Sequence, residues 1–353
     1  MDPEKLKETA KLVFGALGGA MTSTMIYLGD RLGLYRELAR GGDATSAELA
    51  ERTGLDERWL REWLYQQGAA GVLEHRGEER FALSAEAAAV LAHEDHPAFG
   101  AGFFSHLPQS LAVAEKLPEA FQTWLGLPYY AIGPEGAEGI ERGLAPWFRT
   151  LLVPVLVPRV AGLAPALERG ITAADVGCGA GVALLTLAKA FPASRFHGYD
   201  ISQHALGRAE RNLRDAGVRN ASFHDGSHEP LPADGRFDLV TTFDCLHDMT
   251  DPPAVMKAIR AAIAEDGVWL IADIKARATY AENVERNPMA AMMYGTSVLT
   301  CMSSALSEAG GLGLGTLGLH PELAREMAEH AGFTRFETLE VDHPVNAFYA
   351  VRP

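Results

Sequence analysis

The stretch Asp175–Leu187, DVGCGAGVALLTL, decides how the rest of the chain is read. The apolar, strand-like ITAADV leads into it. It then passes through Gly177, Gly179 and Gly181 and continues as a helix-like apolar run. A strand that turns through glycines into a helix lets backbone amides approach a nucleotide-type cofactor. Spacing counts against two cofactor chemistries. A dinucleotide fingerprint needs its third glycine where Val182 stands, and no Gly-Lys-Ser/Thr follows as a triphosphate loop requires.

Outward from this loop, the text from about residue 171 alternates strand-like and helix-like runs. ITAADVG, RFHGYD, ASFHDG, FDLVTTFD and VWLIADI are the strand candidates. This alternation predicts an α/β fold with an open, mostly parallel sheet. Four acids fall at the carboxyl ends of these strands, where open α/β sheets bind ligands: Asp175, Asp200, Asp225 and Asp244. Asp200 is placed to accept two hydrogen bonds from a ribose diol. Asp225 and Gly226 end the third strand, where an adenine edge would lie, and Phe243 with Asp244 ends the fourth. The alternative is that these acids only cap helices.

The front of the chain reads differently. Residues 3–40 are helical in pattern, with Leu32, Leu34 and Leu38 expected on one buried face. The apolar stretch VFGALGGAMTSTMIYLG is short for a bilayer span and contains Gly, Ser and Thr, so it reads as a buried or interface helix. Thr45 or Ser46 caps a short helix, and Asp56 caps a second that carries Trp59, Leu60, Trp63 and Leu64. VLEHR and RFALS flank a Gly-Glu turn as a hairpin. Helix, turn, helix and hairpin make a winged helix. Residues 44–91 hold five arginines against nine acids, so a packing or dimerisation module fits better than a DNA reader. The whole chain carries −15 formal charges, which repels polyanions at long range. Three scattered cysteines, with no Cys-x-x-Cys or Cys/His ligand spacing, suit a reducing compartment and predict no structural metal. At 353 residues the chain is long for one domain. We expect a helical and winged-helix part over 1–96, a helical linker and pocket segment over 97–168, and a catalytic domain over 169–353.

The motif spacing over 171–353 resembles the class I S-adenosylmethionine-dependent methyltransferases. Asp175, Gly177, Cys178, Gly179 and Gly181 look like their first motif. Asp200 and Ile201 look like their ribose acid, Asp225, Gly226 and Ser227 like their adenine contact, and Phe243, Asp244 and the following CLHD like their fourth motif. The resemblance implies a Rossmann-like seven-stranded sheet of order 3-2-1-4-5-7-6, with the last strand inserted antiparallel. It also implies S-adenosyl-L-methionine as cofactor, which has no phosphates to be repelled by an acidic loop. GDRLGLYREL, the winged helix and the late LTCMSSALSEAGGLGLGT resemble a bacterial small-molecule subgroup whose N-terminal part dimerises. That resemblance implies a small-molecule methyl acceptor and a homodimer, while the charge, the N-terminal apolar stretch and the cysteine usage lead us to expect no nucleic-acid or membrane partner and a cytoplasmic location.

Methyl transfer is an in-line displacement helped mainly by positioning, and a hydroxyl acceptor needs a base. His247 is the candidate base, a structural histidine being the other reading, with Asp248 orienting it or capping the next helix. Cys245 reads as pocket lining. Met289, Met293, Tyr294, Cys301 and Met302 are expected to form a lid over the strand ends, with Tyr130 and Trp147 in the pocket beside Tyr129 and Phe148. His320 reads as a helix-start residue. A competing class is a cofactor-sensing winged-helix transcriptional regulator with an inactive methyltransferase domain.

Overall fold

The computed structural model describes residues 1–353, which form two compact units: residues 1–108 with 142–146, and residues 109–141 with 147–353. The segment 97–168 is divided between them.

In the first unit, α1 (Pro3–Arg31) starts at Asp2, whose carboxylate accepts from the amides of Glu4 and Lys5. It ends at Leu32, and Gly33 turns the chain at φ +73° into α2 (Leu34–Gly41). Leu34 and Leu38 are buried. Leu32 is 49% exposed, because it caps α1 rather than sharing the α2 face, and this corrects its expected burial. α3 (Ser46–Thr53) opens on a reciprocal capping box between Thr45 and Glu48, and α4 (Glu57–Ala69) opens on Asp56. α4 turns Leu60, Trp63, Leu64 and Gln67 inward. Trp59, one position before Leu60, falls on the other face and is exposed. β1 (Glu74–His75) and β2 (Phe81–Ala82) close the wing as an antiparallel pair. The arginines of α4 are engaged by acids: Arg58 by Glu62 and Arg61 by Glu57, each at 2.6 Å.

Three polar groups in the core of this unit find partners. The Tyr35 hydroxyl donates to Gln67, and the Trp63 indole donates to the Met25 carbonyl at 2.9 Å. Asp30 is 4% exposed and takes a two-pronged contact from Arg142 at 2.7 and 3.0 Å. The middle of α1 does not join this core. Leu12, Val13, Phe14, Leu17 and Met21 are exposed, so the helix is not buried within the chain. By length and composition alone it is long and apolar enough to cross a bilayer.

The second unit is built on a seven-stranded sheet. Its strands are β3 (Thr172–Val176), β4 (Arg195–Asp200), β5 (Ala221–Asp225), β6 (Phe237–Phe243), β7 (Ile263–Ile274), β8 (Arg335–Leu339) and β9 (Asn346–Arg352), in the order β5-β4-β3-β6-β7-β9-β8. Counted from β3 this is the expected 3-2-1-4-5-7-6. The first five run parallel, and β9 lies antiparallel between β7 and β8. Successive strands step outward from β3 to one side through β4 and β5, then to the other through β6 and β7. The crevice between the carboxyl ends of β3 and β6 is therefore the switch point where such sheets take ligands. Trp269, fully buried with Phe237, Ile259, Ile271 and Val351, anchors the core and donates its indole N–H to Thr242 at 3.0 Å.

Candidate active site

At the end of β3 the chain makes three left-handed turns, at Gly177 (φ +73°), Gly179 (+54°) and Gly181 (+74°), before the helix Val182–Ala190 begins. The glycines do different work. A Cβ on Gly181 would come 2.3 Å from the Phe223 ring and one on Gly177 would come 2.8 Å from Cys245, whereas one on Gly179 would meet nothing within 4 Å. Gly181 and Gly177 thus let the loop pack on the sheet, and Gly179 faces open space. Gly181→Ala combines a left-handed alanine with that ring contact. We expect it to lower unfolding free energy by about 2–4 kcal/mol, read by denaturant titration. A loss under about 1 kcal/mol would show that Phe223 moves aside freely.

Asp200, at the end of β4, ties the loop down. Its Oδ2 accepts from the Gly179 amide at 2.7 Å and its Oδ1 from Ser202 at 2.8 Å. Burial pushes its carboxyl up, and these hydrogen bonds oppose that. Asp225 accepts from Ser227, Gln203 and His228, and the His228 hydrogen bond leads in holding its carboxyl low. Gly226 donates to the Asp200 carbonyl at 2.9 Å. Ile201 stands 64% exposed beside this acid.

Deeper in the crevice, Asp175 is buried and accepts from the Thr241 hydroxyl at 2.6 Å. Burial drives its carboxyl up to about 7. Asp244 follows Phe243 in a left-handed conformation (φ +52°), uncommon for a residue with a Cβ. One of its oxygens accepts from Asn346, while Oδ2 is buried without a partner. Burial, reinforced by Asp273, drives this carboxyl to about 7 as well. Cys178 and Cys245 are buried thiols pushed up by burial, and Cys245 donates to the Val176 carbonyl at 3.3 Å.

His247 lies on the short turn Leu246–Asp248 and is 3% exposed. Its Nδ1 is 2.6 Å from Oδ1 of Asp273, near the end of β7, and Gly315 holds its carbonyl at 3.0 Å. Burial alone would push this imidazole down. Asp273, by charge and hydrogen bond, and the Cys301 thiol override it, so the net direction is upward. Asp248 therefore has neither expected role: Asp273 orients His247, and Asp251 caps the next helix. Asp248 instead stands beside His247 and Cys301, their ligand-type atoms all within 4.8 Å of one another.

The remaining sequence-selected residues divide. Cys301 reaches the site from a π-helical turn, Ser297–Cys301, with Met302 next along the chain. Trp147 packs against Phe148 at a tilt, with ring centres 4.1 Å apart, and meets Phe243 edge-on. Met293, Met289 and Tyr294 gather in a small apolar cluster with Ala276, Ala290 and Leu317, packed against Ile274 at the carboxyl end of β7. Tyr130 is exposed. Its neighbour Tyr129 turns in, and burial together with Asp248, Cys301, Asp244 and Asp200 pushes its phenol well up. Tyr129 also borders a very small cavity with Val113, Leu127, Ile132, Leu299 and Thr300. His320 is the N-cap of the helix Pro321–His330.

Residues 167–332 match the family described as Methyltransferase domain, and residues 20–93 the family described as Rv2258c-like winged HTH domain. The ubiquinone biosynthesis O-methyltransferase of Methylococcus capsulatus is 37% identical over 91 residues, covering 25% of this chain and 37% of that protein. Its namesake from Aromatoleum aromaticum is 32% identical over 113 residues, 31% and 45% of the two chains. The chain thus spans less than half the length of these relatives. Human N-acetylserotonin methyltransferase, solved in complex with SAM, superposes with a TM-score of 0.69 at 17% identity, over 98% of this chain and 97% of that one. Mitomycin 7-O-methyltransferase MmcR superposes at 0.68 with 20% identity over the full length of both. At these identities the likeness is one of fold.

Proposed function

We propose, for a chain whose residues 167–332 match the Methyltransferase domain family and whose residues 20–93 match the Rv2258c-like winged HTH domain family, that it transfers a methyl group to an oxygen of a small-molecule acceptor. The observation that carries this reading is the buried His247–Asp273 pair, set at the ligand-binding ends of the sheet on which Asp200 and the glycine loop also stand.

The residues present fit S-adenosyl-L-methionine. The open side of Gly179, the Asp200 carboxylate and the unpartnered Asp244 Oδ2 are features such a molecule would fill. Gly177–Gly181, Asp200 and Ile201, Asp225–Ser227, Phe243 and Asp244 would hold it. Bound there, it supplies a methyl group on a sulfonium, already a good leaving group. Asp273 accepts a hydrogen bond from Nδ1–H of His247, which fixes the tautomer and leaves the Nε2 lone pair to accept the proton of a hydroxyl acceptor. Trp147, Phe148 and Phe243 wall the crevice and exclude water.

The exposed apolar side of α1 supports a homodimer built on that helix. The acid-paired arginines of α4 support the absence of a nucleic-acid partner. Three free, buried cysteines are in keeping with the cytoplasm.

Titration calorimetry tests the cofactor. S-adenosylhomocysteine should bind at micromolar or tighter concentration, and NAD should give no heat. The pH dependence should distinguish the sulfonium from the neutral thioether. Asp175 and Asp244 have carboxyls near 7, so below that pH they are largely protonated in the free protein. A cation among them favours the ionised forms and releases protons. The affinity for S-adenosylmethionine should therefore rise with pH up to about 7, by up to about tenfold per pH unit for each proton released, with a flatter profile for S-adenosylhomocysteine. Equal slopes for the two ligands would place the sulfonium away from these acids.

A further inference from the structure

We infer that His247, Asp248 and Cys301 form a binding site for a zinc-class divalent cation. Their ligand-type atoms all lie within 4.8 Å of one another, and His247 and Cys301 are 3% and 7% exposed. Donor atoms around one zinc ion sit roughly 3.5 Å apart, so the observed spread closes by about 1 Å, within reach of side-chain rotation. An imidazole, a carboxylate and a thiol are a borderline-soft donor set. That set suits zinc better than magnesium or calcium, which take oxygen throughout.

Two further observations point to a ligand. The first lies behind the histidine: Nδ1 of His247 is held at 2.6 Å by Asp273, which itself accepts from the Ile274 amide at 2.8 Å. A ligating histidine almost always carries such a carboxylate on its other nitrogen, which fixes the tautomer so that Nε2 faces the metal. Oδ2 of Asp273 is buried without a partner, so the pairing is one-sided and directed at the imidazole. The second is the delivery of Cys301 by a π-helical turn, a local irregularity that occurs frequently at functional sites.

Three protein ligands leave a fourth position open, as in catalytic-type zinc sites rather than closed structural ones. Sequence spacing hides the site, because two ligands are adjacent and the third comes from position 301. On binding, the Cys301 thiol loses its proton to solvent and the Nε2 lone pair goes to the metal. His247 can then no longer take a proton, so the cation silences the base. That consequence rests on the methyl-transfer reading, whereas the binding does not.

The test is an anaerobic titration of the reduced, chelator-stripped full chain with cobalt(II), followed by absorbance. We expect tetrahedral ligand-field bands with a sulfur-to-cobalt charge-transfer band. Cys301→Ser should remove the charge-transfer band, and Asp273→Asn should weaken cobalt affinity 10–100-fold. Absence of the band in the wild type overturns the inference. So does its persistence in Cys301→Ser, which would put the metal on Cys178 or Cys245. S-adenosylhomocysteine binding, measured on the same samples, shows that each variant is folded. It also reports on the cofactor separately: a normal cofactor isotherm without a cobalt band sinks this inference alone, and a cobalt band without cofactor binding sinks only the methyl-transfer reading.

Discussion

Asp200→Ala abolishes measurable binding of S-adenosylhomocysteine while the protein stays folded. The carboxylate has two jobs. It already receives the amides of Gly179 and Ser202, and so fixes the loop whose open side faces the ligand. Its remaining lone pairs are the acceptors for a ribose diol. Hydrogen bonds to a charged group contribute about 1.5–3 kcal/mol each. Losing two on the ligand corresponds to roughly 10²- to 10⁵-fold in Kd, before any loosening of the loop is counted. The fold should tolerate the change, because burial already disfavours this charge and its removal relieves part of that penalty. Calorimetry reads the affinity and thermal unfolding the fold. Asp200→Asn keeps the size and loses one acceptor, so it should fall between. A Kd within threefold of wild type in the alanine variant would mean that Asp200 serves only the loop.

What was legible in the sequence is what short-range chemistry writes. The strand–glycine–helix turn at 175–187, the caps at Thr45 and Asp56 and the short apolar runs of the sheet are local patterns, and they locate the switch point and the acids around it. The residues that complete the site are brought in by the fold. Asp273 sits in VWLIADI, 26 positions after His247, and reads as the end of an ordinary core strand. A signal was present nonetheless: a lone acid ending an apolar run must be paired or pay for burial. Asp30 is a similar case in GDRLGLYREL, answered by Arg142 at 112 positions' distance. Adjacency in the text favoured Asp248 as the partner of His247, but Nδ1 of His247 is bonded to Asp273, brought in by the neighbouring strand. The methionine-rich stretch 289–302 looked uniform, yet the structure brings Cys301 to His247 and Met289, Met293 and Tyr294 into an apolar cluster against Ile274 at the end of β7.

His247→Gln should lower kcat by about 10²- to 10⁴-fold, the range for a positioned general base, with cofactor affinity unchanged. Asp273→Asn distinguishes a base from a structural histidine. In the native pair, Asp273 and Cys301 override burial and hold the imidazole above its ordinary value. Below that raised pKa, His247 is protonated and cannot accept, so kcat/KM for a hydroxyl acceptor should rise with pH along a limb lying above about 6.5. Taking the charge from Asp273 leaves burial as the main influence, and burial favours the neutral ring. The limb should then move to lower pH even as the maximal rate falls, because the weaker base and the freed tautomer both cost rate. A structural histidine predicts something else: Asp273→Asn would destabilise the fold and reduce the amount of active protein, with the limb unmoved. A limb that stays in place in Asp273→Asn, or a His247→Gln variant retaining more than about a tenth of wild-type kcat, would return His247 to a structural role and leave acceptor deprotonation to another group in the crevice.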